Sequence, residues 1–177
     1  MSSNPELAAL QHRHLRIGWT SLLVFVVLGG VLESMHGFKV DWYLAVGNET
    51  QRLLWRLAHA HGTFLSLVHI GFAATLSHMS SGIVSAEIVS SETVSSETVS
   101  SETVSSETVS QETATRGALP KFAGASLTTA LIALPGGFLL GAFGGHGGDP
   151  GIGIVLVPFG LVMLVVAIIG TLRKLPR

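Results

Sequence analysis

The chemically capable side chains of this chain are imidazoles and carboxylates gathered at a few places: Glu33 and His36, His59 and His61, His69, and His146 with Asp149. Such donors suit Zn, Cu or Fe, or a proton relay. Cysteine is absent, which removes disulfide scaffolds, thiolate metal sites and thiol nucleophiles together. Spacing restricts what the histidines can do. On a helix His59 and His61 lie about 200° apart, so one regular helix cannot present both to one metal, yet one of the two must face the interior of any bundle. His61 and His69 are about 12 Å apart along the axis, which excludes a shared mononuclear site. Any ligand set must therefore recruit a second segment. Glu33 and His36 are the nearest in the chain, and with His59 and His61 they form the best candidate metal constellation.

The elements that would position these groups are apolar. Of 177 residues 47% are hydrophobic and only 12% charged, about half the charged share of a soluble domain. With a formal net charge of −1 the chain has no basic excess for nucleic acid. Four runs approach the ~20 residues that cross a bilayer as a helix: 17–35, 57–77, 122–143 and 152–172. The expected fold class is all-α, a polytopic four-helix membrane bundle. The first run is too long for a secretory leader, and Glu33-Ser34-Met35-His36 offers no small-x-small cleavage site. The second is the least apolar, and Pro135-Gly136-Gly137 predicts a kink or opening in the third.

Basic residues set the expected orientation. Residues 1–16, the segment 78–121 and the tail 173–177 fall on one side with Arg13, Arg16, Arg116, Lys121, Arg173, Lys174 and Arg177; the other side, residues 36–56 and 144–151, carries Lys39, Arg52 and Arg56. Both termini are thus expected in the cytoplasm, the chain lying in the inner membrane. Trp19, Trp42, Tyr43 and Trp55 suit the interfacial aromatic belt. On this topology Glu33, His36, His59, His61, His146 and Asp149 all collect near the outer face.

From Val84 to Thr113 a five-residue unit, Val-Ser-[Ser/Ala/Gln]-Glu-[Thr/Ile], repeats six times. Five residues advance a helix by about 500°, so successive valines fall ~140° apart and build no apolar stripe. On a strand the odd period sends alternate valines to opposite faces. The segment cannot bury a core of its own and is expected as a disordered acidic loop, with a helix continuing the second span as the structural alternative. His12, His14 and His78 are expected in solvated positions at the cytoplasmic interface.

The stretch Arg56-Leu-Ala-His59-Ala-His61-Gly62 resembles the Arg-x-x-His start of the second helix of haem-copper oxidase subunit I and its nitric-oxide-reductase relatives. It is also similar to small four-helix bacterial membrane proteins with an Ala-His-Ala-His segment. The resemblance implies an axial haem-ligand role for His59 or His61. The third span has no histidine, so an opposing ligand would come from His36 or from a second subunit.

Three functions are compatible with these features. One is a non-catalytic accessory or packing component of a membrane complex. Another is a haem- or copper-binding redox component using His59, His61 and His36, with Glu33 as a further metal ligand. The last is an oligomeric transporter or channel protomer built around Pro135-Gly136-Gly137, Thr128 and Thr129. The expected partners are the lipid bilayer and a second copy or a larger membrane complex. Against these stands a structural reading in which the histidines bond backbone carbonyls and Glu33 pairs with Arg52 or Arg56. Soluble enzyme motifs are missing: no nucleophile elbow, His-Glu-x-x-His helix or dinucleotide fingerprint.

Overall fold

The computed structural model describes residues 5–93, 106–143 and 149–173, with side chains outside 80–119. Helix α1 spans Pro5–Gly37, a short α2 Asp41–Leu44, α3 Glu49–Thr93, α4 Ser106–Phe143 and α5 Leu156–Leu172, with single 3-10 turns at Val46–Asn48 and Ile152–Val155. No strand occurs among the described residues.

Length and composition qualify three of these helices as membrane spans: Pro5–Gly37, Pro120–Phe143 and Ile152–Leu172. The run 57–77 sits inside α3, where His59, His61 and His69 dilute the apolar character. That dilution matches its position. Helix α3 packs on α1 along one side and on α4 along the other, and α4 in turn packs on α5. The two outer helices bury few of their apolar side chains and expose many, among them Val24, Val27, Val162 and Val165. Of the two helices flanked on both sides, α3 and α4, α3 carries the buried histidine and the histidine that bonds α1.

Contacts along these seams fix direction. Lys121 reaches Glu6 at 3.0 Å, so α1 and α4 start at the same end of the molecule. At the opposite end the amide of Gly151 donates to the Gly141 carbonyl at 2.8 Å, closing the turn from α4 to α5. One core cluster, with Tyr43, Leu54, Trp55, Leu65 and Phe138, fills that opposite end; a second, with Phe72, Leu76, Leu127 and Ala167, fills the first.

Helix α1 stops by a Schellman closure. The amide of Val40 donates to the Met35 carbonyl at 3.1 Å and that of Lys39 to His36 at 3.2 Å, while Lys39 takes φ of 52°. Glycine usually fills that left-handed position. Met35 and Val40 both pack on the adjoining core cluster, the apolar contact that accompanies this motif.

Several boundaries differ from the sequence expectation. The connection 36–56 is mostly helical, because α1 runs on to Gly37 and α3 begins at Glu49. Both described ends of the repeat, 84–93 and 106–113, continue α3 and α4 as helix, in line with the alternative rather than the loop; residues 94–105 lie outside the described residues. The physical reason is that extending an existing helix costs far less than nucleating one, so a sequence with no stripe of its own can still propagate its neighbour's turns. The assignment of α4 also passes through Pro135 without interruption. Proline is tolerated inside apolar helices where packed neighbours support the chain, and Pro135 is fully buried.

Candidate functional site

The polar groups inside this apolar body form a line along the seam between α1 and α3. His14, on α1, is 1% exposed and His69, on α3, 0%. Their Nδ1 atoms are 2.8 Å apart, so one carries the hydrogen and the other accepts it. The rings stack with centroids 4.9 Å apart, and Phe72 meets the His14 ring edge-on at 4.8 Å. A side chain at position 124 of α4 would collide with the His14 ring, and glycine stands there. The Nε2 atom of His69 is buried without a hydrogen bond of acceptable geometry, the backbone of Leu127 lying on that side. Three helices are thus joined at one imidazole pair.

Two turns further along α1, Ser66 donates to the Ser21 hydroxyl at 2.7 Å, and Ser21 donates to the Ile17 carbonyl at 2.6 Å. Beyond them the Nδ1–H of His59 donates to the Phe25 carbonyl at 2.7 Å, its ring filling the space a side chain at Gly29 would need. His59 thus holds α3 to α1, and its Nε2, the lone-pair nitrogen of this tautomer, is confined against Gly29.

His61 differs. Its Nδ1–H donates to the Leu57 carbonyl of its own helix at 2.8 Å, which leaves Nε2 as the lone-pair nitrogen. The ring is half-buried against Phe138 of α4, centroids 5.0 Å apart. No other hydrogen bond, ion pair or ring contact of this side chain occurs among the described residues. This is the orientation in which imidazoles ligate metals, with one nitrogen tied to a carbonyl and the other left to bind.

At this point comparison with protein-family models, characterised proteins and solved structures yields no significant match for the chain.

The anticipated convergence of Glu33, His36, His59 and His61 does not form. Glu33 and His36 are exposed on the last turns of α1, and no three histidine or acidic side chains among the described residues could hold a metal together. The cause is register. His59 meets α1 at Phe25 and Gly29, so Glu33 and His36 stand about 6 and 10 Å farther along the helix axis. Glu33 does not pair with Arg52 either: that guanidinium donates to the carbonyls of Tyr43 and Ala45 at 2.7 and 3.0 Å. Asp149 is exposed, and His146 lies outside the described residues.

One further expectation is corrected. His14 is sealed inside the molecule rather than solvated, whereas His12 and His78 are exposed. Trp55 is buried among Tyr43, Trp42 and Phe143; Trp55 Nε1 and Tyr43 Oη have no hydrogen-bond partner among the described residues. A signal for the buried seam does exist in the sequence. His14, Gly18, Ser21, Phe25, Gly29 and Leu32 follow one another at steps of four and three, as do His59, Gly62, Ser66, His69 and Ala73. That is the spacing of a packing seam, here written in small and polar residues instead of aliphatic ones.

Proposed function

We propose that this chain is a small integral membrane protein that binds one haem through His61. The single observation that carries the reading is the state of that imidazole: its tautomer is set by the Leu57 carbonyl, its Nε2 has no hydrogen-bond partner among the described residues and is not confined against Gly29 as that of His59 is, and it is half-exposed. The donor set favours haem over a bare copper or zinc ion. A porphyrin brings four nitrogens of its own and needs as little as one protein ligand, while an isolated ion needs three or four. One imidazole is available here and no triplet is. The resemblance of Arg56-Leu-Ala-His59-Ala-His61 to oxidase subunit I assigns the axial role to one of the two histidines; His59, bonded to α1, leaves His61.

Haem bound there would supply an iron centre for electron transfer or for holding a small ligand at its open position. The protein's own part is to fix the imidazole plane through Leu57 and to support it with the Phe138 ring. His36, exposed beyond the seam, is not an opposing ligand in this reading. Any further protein ligand to the group would have to come from a second copy or another subunit. Four membrane crossings, with α3 and α4 as the inner pair and both termini cytoplasmic, complete the proposal.

A second reading, a non-catalytic packing component, is favoured by the fact that His14, His59 and His69 are all consumed by hydrogen bonds between helices. The absorption spectrum and iron content of the protein purified from haem-replete cells separate the two. A Soret band with iron near one equivalent supports haem binding. No Soret band and no metal leaves the packing component.

A further inference from the structure

A groove of about 540 Å³ runs between α1 and α4, bordered by Arg16, Thr20 and Val24 on one side and Leu131, Ile132 and Gly136 on the other. Its size is that of a small-ligand site, ~300–1,000 Å³, but it opens sideways rather than to an enclosed interior. Because α1 and α4 run parallel, Arg16 stands at the end of the groove nearest their N-termini. It is exposed, and no acidic partner for it exists among the described residues; the nearby Lys121 is already paired with Glu6. Trp19, 61% exposed one turn away, is a ring that a membrane interface accommodates. Apart from the Thr20 hydroxyl the walls are apolar: the Ser21 hydroxyl that borders the groove is committed to Ile17 and Ser66.

We propose that this groove binds an acyl chain of an anionic phospholipid from the surrounding leaflet, with Arg16 holding its phosphate. An unpaired guanidinium at the mouth of an apolar furrow complements the two parts of such a lipid: a bidentate donor for phosphate oxygens and an alkyl-lined trough below it. A zwitterionic lipid brings its own cation to the same place and gains less. A second copy of the chain would fill the trough but leave Arg16 without a counter-charge, since α1 and α5 expose aliphatic faces.

Full-length protein in vesicles of phosphatidylcholine with increasing phosphatidylglycerol tests this, with retained lipid read by native mass spectrometry after mild detergent release. Phosphatidylglycerol should be retained over phosphatidylcholine. Arg16→Gln should weaken that preference about fivefold, the value of one basic residue near an anionic surface. Ile132→Trp, which fills the trough, should abolish retention of either lipid, and Arg173→Gln should change nothing. Equal retention of the two lipids, a preference that survives Arg16→Gln, an equal loss in Arg173→Gln, or cross-links placing a second copy over Ile132 would each overturn the proposal.

Discussion

Two of the three helix seams of this molecule, α1–α3 and α4–α5, are joined by different physics. Between α1 and α3 the contact is polar: an imidazole pair, two serines and a histidine bonded to a backbone carbonyl bridge the helices. Between α4 and α5 the contact is steric. A Cβ on Gly160 would sit 2.8 Å from the Leu134 amide nitrogen and 2.9 Å from its side chain, so α5 approaches α4 at the distance only glycine permits. In the bilayer proposed for this chain neither seam would gain from excluding water, and helices there associate through close packing or through polar groups that have nowhere else to bond. The α1–α3 seam adds these hydrogen bonds to its small residues Gly18 and Gly29, whereas the α4–α5 seam relies on close approach. The polar device sets register residue by residue; the steric one sets distance.

The contrast can be broken at each seam in turn. Gly160→Val should give the largest loss, about 3 kcal/mol, because the obstacle is backbone that cannot rotate away. Thermal unfolding in detergent measures it, and an unchanged midpoint would mean that α5 can slide on α4 without cost. His69→Leu comes next at about 2 kcal/mol, since it leaves His14 buried with no partner. The double variant His14→Leu/His69→Leu should cost less than the sum of the single changes, as expected for groups that satisfy one another. Simple additivity would show that the pair is not coupled. Lys39→Gly should act in the other direction and least, stabilising by about 0.5 kcal/mol through relief of the left-handed conformation at the end of α1. A loss of stability there would place the Lys39 side chain in a contact that outweighs the strain.

How much of this was legible in the sequence follows from what hydropathy encodes. The apolar runs locate the helices, since length and composition alone decide which segments can cross a hydrocarbon layer. The opposition of His59 and His61 was equally readable from helix geometry: His59 meets α1 and His61 meets α4. Register between helices was not. Whether Glu33 reaches His59 depends on a displacement of about one or two turns between α1 and α3, which no property of either helix alone determines. The same ignorance hid His14, whose neighbours Arg13 and Arg16 point outward while it points in. The stripe of small and polar residues at steps of three and four was the available clue. The ends of the repeat failed for a related reason, because period five describes what a segment cannot do alone and says nothing of what an attached helix can impose on it.

The central functional claim rests on the division of labour between His59 and His61, one holding helices together and the other presenting Nε2. Titration of haemin into the purified chain, followed at the Soret maximum, tests that division directly. The account predicts saturation near one haem per chain, loss of the bound spectrum in His61→Ala, and its retention in His59→Gln. A spectrum that survives His61→Ala, or that disappears only in His59→Gln, would contradict it.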